Sequence, residues 1–267
     1  MEIPKIIHYC WFGRNPLPEL AQKCIASWKK FFPDYEIKEW NEDNYDVNKI
    51  PYIKEAYEAK KYAFVSDYAR FDVLYQYGGI YFDTDVEVIK SFDEILKNGP
   101  FMGCERNGTE NEASKVAVNP GLGFSMIPGM ETIKLILDEY HKSSFITEQG
   151  LNTLKTIVVF TTDELEKLGL QNCNEPQSIG GFMIYPKQYF SPKDLDTKKL
   201  TITKNTYSIH HYDASWAEWY DRREGERAPK LKRLFGKWLG GKINLAIYVV
   251  QKYGFFGAIK KLFLKKK

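Results

Sequence analysis

Residues Ser66 to Glu87 read Ser-Asp-Tyr-Ala-Arg-Phe-Asp-Val-Leu-Tyr-Gln-Tyr-Gly-Gly-Ile-Tyr-Phe-Asp-Thr-Asp-Val-Glu. Ser66 can cap a helix that runs to about Tyr77, with Phe71, Leu74 and Tyr75 available to pack. Gly78-Gly79 stops that helix, and Ile80-Tyr81-Phe82 reads as a central strand. Asp83 and Asp85 stand where the apolar strand runs out. Two carboxylates there are costly without a cation partner. Residues two apart in a strand share a face, so both can converge on one ion. Oxygen-only ligands favour Mg²⁺ or Mn²⁺, which keep open positions for phosphate oxygens.

Asp67 and Arg70 lie three apart and so on one helix face. Their helix feeds directly into the Asp83 strand, which brings them near the ion and suits them to sugar hydroxyls. The plainer reading is an acid favoured by the helix dipole and a surface ion pair.

Working outward, Lys5 to Phe12 is a buried first strand, Pro18 to Phe32 a helix, and Tyr35 to Trp40 a second strand. Strand, helix and strand within about forty residues predict an α/β fold with a parallel sheet. Tyr52 to Lys61 reads as a polar helix and Asp93 to Leu96 as a short helical turn. Phe101 to Glu105 and Gly121 to Met126 are strands, Met130 to Tyr140 is an amphipathic helix, and Tyr207 to Tyr212 is a last strand. Trp11 ends the first strand. Ligands of open α/β sheets bind at the carboxyl ends of strands, which gives its ring a base-stacking role, with a core tryptophan as the alternative. Asn119, in Val-Asn-Pro-Gly-Leu-Gly, is a candidate polar contact near the reacting centre, or part of a turn. His210 and His211 precede Tyr-Asp-Ala-Ser215-Trp216, and alternation lets only one imidazole face the site. Neutral imidazole suits Mn²⁺ better than Mg²⁺.

The 267 residues suffice for one large domain with a substantial core. Charge is unevenly placed. Eleven of the 38 basic residues and none of the 35 acids lie from Lys230 onward, leaving an acidic body and a basic tail. Leu231, Leu234, Phe235, Trp238 and Leu239 make one apolar stripe among cations. After Gly240-Gly241, Phe255, Phe256, Ile259, Leu262 and Phe263 make another, ending in three lysines. The division expected is a catalytic domain over 1–229 and a basic amphipathic helical tail over 230–267 that binds an anionic membrane surface. The apolar stripes argue against nucleic acid as its partner. Four scattered cysteines without Cys-x-x-Cys spacing suit free thiols. Met1-Glu-Ile-Pro-Lys5 lacks the regions of a signal peptide, and no apolar run approaches the ~20 residues of a membrane span. A cytoplasmic protein, peripheral on the inner face of the cell membrane, is expected.

Three blocks carry a resemblance: Ile3-Pro-Lys-Ile-Ile-His-Tyr-Cys-Trp11, the stretch from Ser66 to Asp85, and His210-His-x-x-x-Ser215-Trp216. Together they resemble glycosyltransferase family 32, which contains bacterial capsular and exopolysaccharide transferases and yeast mannosyltransferases. That family is similar to the glucosyltransferase domains of the clostridial toxins. The resemblance covers Met1 to about Trp216, more loosely over 106–200. It implies a GT-A type, Rossmann-like fold, a nucleotide-diphosphate sugar donor, Mn²⁺ or Mg²⁺, and retention of anomeric configuration. It places Trp11 on the base and Tyr81 and Asp83 by the ribose and metal. It makes Asp85 a direct ligand and has Asp67 and Arg70 grip the donor sugar. His211 falls at the metal, with Ser215 and Trp216 against the diphosphate. Uridine is the base expected from the toxin and capsular branches, guanosine from the mannosyltransferase branch. A lipid-linked glycan in capsular, exopolysaccharide or lipopolysaccharide synthesis is the acceptor expected. The alternative from the residues alone is a metal-dependent phosphohydrolase or nucleotidyltransferase using the same aspartates, but no Gly-rich phosphate loop accompanies them.

Overall fold

The computed structural model describes residues 2–109, 113–194, 197, 199–213 and 219–264. The chain divides into two compact units, Met1–Asp194 with Lys199–Tyr212, and Leu195–Lys198 with Asp213–Lys267.

The first unit opens with β1 (Ile6–Cys10), α1 (Glu19–Phe31) and β2 (Glu36–Trp40), and the two strands pair in parallel from Ile6 opposite Glu36 to Cys10 opposite Trp40. After α2 (Pro51–Glu58) and α3 (Tyr62–Tyr77), β3 (Gly79–Tyr81) enters on the other side of β1, again parallel, with Ile7 opposite Ile80. The chain continues through β4 (Val86–Val88), α4 (Asp93–Leu96), β5 (Phe101–Arg106), β6 (Ala117–Val118), a 3₁₀ turn at Pro120–Leu122 and β7 (Phe124–Met126). Then follow α5 (Glu131–His141), β8 (Ile146–Thr147), β9 (Gly150–Leu151), α6 (Ile157–Lys167), β10 (Gln177–Ile179), β11 (Phe182–Tyr185) and β12 (Ser208–His210). The main sheet runs β10-β11-β5-β7-β3-β1-β2. It is parallel across β3-β1-β2 and β5-β11, and antiparallel at β7 and β10. This is a mixed α/β, Rossmann-like arrangement, with the predicted parallel half at its N-terminal end.

Alternate residues of the chain through β3 feed two apolar clusters. Tyr81 joins the one that gathers α2, α3, α5 and α6. Ile80 and Phe82 join the one around Trp28, Phe92 and Phe101. α3 is buried continuously from Phe64 to Leu74 except for Ser66, so Asp67, Arg70 and Asp72 lie in the interior rather than on a polar face. Ser66 does not cap this helix. The chain turns through Lys60 (φ 57°) and restarts at Tyr62, leaving Ser66 inside, its hydroxyl donating to Tyr62 O at 3.2 Å. The helix ends as expected at Gly78-Gly79, where φ is 65° and 102°. A Cβ on Gly79 would meet Ile6 O at 2.5 Å, so the tight passage from α3 into β3 admits only glycine.

In the second unit one helical run, α7 (Trp219–Leu264), is broken at Gly236 (φ 76°) and Gly254 (φ 70°). The break expected at Gly240-Gly241 is absent. Both residues remain helical, and the positive-φ positions fall elsewhere. The side chains of Phe255, Phe256, Ile259, Leu262 and Phe263, and residues 265–267, lie outside the described residues. No helix among the described residues is long and apolar enough to cross a membrane. None of the four cysteines, all among the described residues, is in a disulfide.

His8 ties three strands and a turn together. Fully buried on β1, its Nε2–H donates to Gly78 O at 3.0 Å while Nδ1 accepts from Trp40 Nε1 at 3.0 Å. Both bonds are made by the neutral ring with its proton on Nε2. Burial lowers its pKa to about 4, with the bond to Gly78 acting the other way and Lys38 adding to the fall. A depressed pKa stabilises the fold fully above the unfolded value of about 6.5, and that contribution is lost as pH falls from there through about 4. The loss is about 3 kcal/mol. Urea titrations across this window should show a steeper fall in stability for the wild type than for His8→Gln. Equal slopes would show that His8 does not set the acid sensitivity of the fold.

Candidate active site

The acid pair sits on a turn, not on the strand. Past β3 the chain bends at once, Val86 N–H donating to Asp83 O at 3.0 Å, and the turn carries Asp83, Thr84 and Asp85 before β4 begins. The strand argument for convergence therefore gives way to a turn that brings both carboxylates to one side. β12 then closes on β4 in antiparallel register, His210 opposite Val86 and Ile209 opposite Glu87, with His211 N–H donating to Asp85 O at 3.0 Å.

That register decides which histidine faces the aspartates. His210 Nε2 lies 3.0 Å from Asp85 Oδ1 and 3.9 Å from Asp83 Oδ2. His211 turns to the other face and pairs with Glu87 at 2.8 Å, where Lys23 also binds Glu87 at 3.0 Å. The structure thus brings His210, and not the expected His211, beside the two aspartates. One ligand atom each from Asp83, Asp85 and His210 falls within 4.8 Å of the others. Two carboxylate oxygens and an imidazole nitrogen are a donor set that fits Mn²⁺, and Mg²⁺ less well. His210 is buried against Tyr212, the ring centroids 4.0 Å apart. Burial alone would lower its pKa, but the Asp85 charge and hydrogen bond, with Asp83 and Glu105, raise it. Its buried Nδ1 finds no hydrogen-bond partner among the described residues.

Arg70 joins α3 to the acid turn. Its side chain is 4% exposed, and the guanidinium donates to Asp67 Oδ1 at 2.8 Å and meets Asp83 Oδ1 at 3.2 Å. Its Nε donates to Ser66 O at 3.1 Å, and the guanidinium lies 4.7 Å from the centre of the Tyr81 ring. Burial works against this charge, but Asp83, Tyr81 and Asp67 hold the pKa above its usual value. Asp67 moves the other way. Burial pushes its carboxyl up to about 6, although Arg70 and the Ile157 amide at the start of α6 favour the charged form. The surface ion pair considered from the sequence is therefore a buried one, and its three-residue spacing is used inward. Tyr81, itself buried, donates its hydroxyl to Asp83 Oδ1 at 3.0 Å.

Asn119 completes the near wall. Its Oδ1 accepts from Gly121 N at 2.7 Å, and its Nδ2 donates to Glu105 Oε2 at 2.9 Å. Gly121 O accepts from Asp83 N at 3.1 Å. A Cβ at Gly121 would collide with the Asp83 carboxylate and stand 3.0 Å from Arg70 Nη1. So Asp67, Arg70, Tyr81, Asp83, Asp85 and Asn119 come together as the sequence suggested. Trp11 stands one residue beyond β1, at the same carboxyl-end edge, its indole N–H donating to Asn15 O at 2.6 Å. Ser215 and Trp216 lie outside the described residues. Glu105, Gly121 and Glu87 escaped the sequence reading. The only signals for them were the glycine two residues after Asn119 and acids on β5 and β4, of which Glu87 meets His211 from 124 residues along the chain.

The family profile described as "Glycosyltransferase sugar-binding region containing DXD motif" matches residues 18–102, which include the acid pair. An uncharacterised glycosyltransferase of Acanthamoeba polyphaga mimivirus is 32% identical over 224 residues, spanning 80% of this chain and 84% of that one. The inositol phosphoceramide mannosyltransferase 3 of Schizosaccharomyces pombe is 34% identical over 98 residues. That match takes in 35% of this chain but only 27% of the yeast protein's length. Among solved structures, the PaToxG glycosyltransferase aligns with a TM-score of 0.44 at 20% identity, over 62% of this chain and 70% of that one. This chain belongs to the family of glycosyltransferases that carry a DXD-motif sugar-binding region.

Proposed function

We propose that this glycosyltransferase moves a sugar, with retention of configuration, from a nucleotide-diphosphate donor to a hydroxyl of a lipid-linked glycan. A UDP-sugar is the donor expected, and the synthesis of a capsular, exopolysaccharide or lipopolysaccharide chain the setting. The observation that carries the reading is the convergence of Asp83, Asp85 and His210 beside the buried Asp67–Arg70 pair, at the carboxyl ends of the parallel strands. Asp83, Asp85 and His210 would hold Mn²⁺ or Mg²⁺. Bound there, such an ion offsets the charge that builds on a leaving diphosphate.

The chain's own residues supply the rest. Arg70, locked between Asp67 and Asp83, holds the Asp83 carboxylate and orients Asp67 toward the sugar hydroxyls. Tyr81 and Gly121 fix Asp83 from two sides, and Asn119 supplies a polar group next to the reacting carbon. Trp11 offers its ring to the base. The bond between the anomeric carbon and the phosphate oxygen breaks, and its electron pair leaves on the diphosphate. The acceptor oxygen bonds to the same face of that carbon, and its proton passes to the departing phosphate oxygen. A lipid-borne acceptor is supported by the name of the yeast relative, which acts on inositol phosphoceramide, and by the basic second unit. The place proposed for the reaction is the cytoplasmic face of the cell membrane.

A panel of nucleotide sugars, assayed for Mn²⁺-dependent donor hydrolysis, tests the assignment without a known acceptor. One donor should be hydrolysed, and chelation should abolish the activity. Asp85→Ala should lose several kcal/mol of transition-state stabilisation, about a hundredfold or more in rate. Near-normal turnover of that variant at saturating Mn²⁺ would refute the metal assignment. Gly121→Ala forces the Asp83 carboxylate aside at a cost of roughly 1–3 kcal/mol. It should lower kcat while the chain stays folded by circular dichroism, and an unchanged kcat would show that the Asp83 position is not critical. Cell membranes given the chosen donor in labelled form should take label into glycolipid extractable by organic solvent. Label found only in water-soluble glycans would exclude the lipid-linked acceptor.

A further inference from the structure

The second unit is a helical hairpin, not the pair of straight amphipathic helices that its sequence suggests. Gly236, at φ 76° and ψ 163°, reverses the chain. The arms on either side run antiparallel, because Leu231 and Arg227, five and nine residues before the turn, meet Gly240 and Asn244, four and eight residues after it. Gly240 lies so close to Leu231 O that a Cβ there would collide with it. Arg227 Nε donates to Asn244 Oδ1 at 2.9 Å and Arg227 Nη1 to Gln251 Oε1 at 3.0 Å, while Asn244 Nδ2 donates to Glu224. Asn244 is 3% exposed.

The hairpin thus keeps polar groups between its arms and gathers a cluster of apolar side chains at the tip, with Leu245 and Val250 exposed further along the second arm. Lys232 through Leu239 are all exposed, eight residues in a row around the turn. Leu234 and Trp238 are each 70% exposed, and Phe235 and Leu239 about half. Interleaved with them are Lys232, Arg233 and Lys237, and Lys242 Nζ sits 3.8 Å over the Trp238 ring. Such a tip is unfavourable in water and matched to one environment. Apolar and indole groups belong at the boundary of acyl chains and headgroups, and cations around them belong against lipid phosphates.

We propose that the tip of this hairpin, Lys232 to Leu239, is a wedge that inserts into an anionic lipid bilayer. Gly236 provides the turn, and the Arg227–Asn244–Gln251 bonds hold the arms together behind it. No helix among the described residues is long and apolar enough to cross a membrane, and the attachment proposed is a peripheral one. With eleven cations and no acid from Lys230 onward, two copies of the tip repel each other, which disfavours pairing between chains. The apolar tip disfavours nucleic acid, which would meet the cations but leave Leu234 and Trp238 in water. The proposal deepens the membrane-side acceptor suggested above and rests on it only for its purpose, since vesicle binding is read without any sugar transfer.

The test uses the full chain, sedimented with vesicles of phosphatidylcholine alone or of equal parts phosphatidylcholine and phosphatidylglycerol. Binding to the anionic vesicles should exceed binding to the neutral ones by about tenfold or more, and should weaken with salt. The double variant Phe235→Ser/Trp238→Ser should lose about tenfold or more in vesicle affinity while hydrolysing donor at the wild-type rate. Acyl chains brominated near the headgroup should quench the wild type's fluorescence and quench Trp238→Phe less. Equal vesicle binding by the double variant would overturn the wedge, as would equal quenching. So would a dimer in sedimentation velocity that the double variant dissociates, or binding to heparin in place of vesicles. Loss of vesicle binding with donor hydrolysis intact leaves the transfer assignment standing. Loss of hydrolysis with binding intact does the reverse.

Discussion

A buried guanidinium that must find its counter-charges inside the protein sets the arrangement of everything near the site. Arg70 lies in a helix with no polar face, and leaving its charge unpaired there would cost several kcal/mol. Two carboxylates answer it, Asp67 from its own helix and Asp83 from the turn beyond the next strand. The Gly78-Gly79 passage makes this possible by turning the chain from α3 into β3 within two residues. The pairing therefore locks the acid turn to the helix before any ligand arrives. Removal of Arg70 leaves two carboxylates without their shared counter-charge, so the sugar end and the metal end of the site are mechanically one piece. The same buried environment raises the Asp67 pKa to about 6, against the Arg70 charge.

Much of this was legible in the sequence because it is local. Asp67, Arg70, Gly78, Gly79, Tyr81, Asp83 and Asp85 fall within nineteen residues, and helix spacing and strand order suffice to bring them together. The parallel β3-β1-β2 half was legible for the same reason. What was not legible comes from pairings far apart in the chain. Whether His210 or His211 faces the aspartates depends on the register of β12 on β4, more than a hundred residues away, and alternation alone left both open. Glu105 and Gly121 matter only because β5 and the Pro120–Leu122 turn stand beside Asp83. Ser66 was misread as a cap because a positive-φ lysine at position 60 lets the helix begin a turn earlier.

The second unit shows the same limit on a smaller scale. Composition identified a basic segment with apolar stripes, but Gly240 and Gly241 looked like the joint and are not. In a helical hairpin a glycine can serve either to reverse the chain or to let two arms approach, and only the structure separates Gly236, which does the first, from Gly240, which does the second. Moving the turn by four residues gathers Leu234, Phe235, Trp238 and Leu239 at one tip.

One imidazole, that of His210, stands with Asp83 and Asp85 where a divalent ion would bind. Pulsed electron paramagnetic resonance on Mn²⁺ bound to protein carrying ¹⁵N-histidine reads this directly. A single histidine nitrogen should couple to the manganese, lost in His210→Asn and kept in His211→Asn. A coupling that disappears with His211, or no histidine coupling in the wild type, would contradict it.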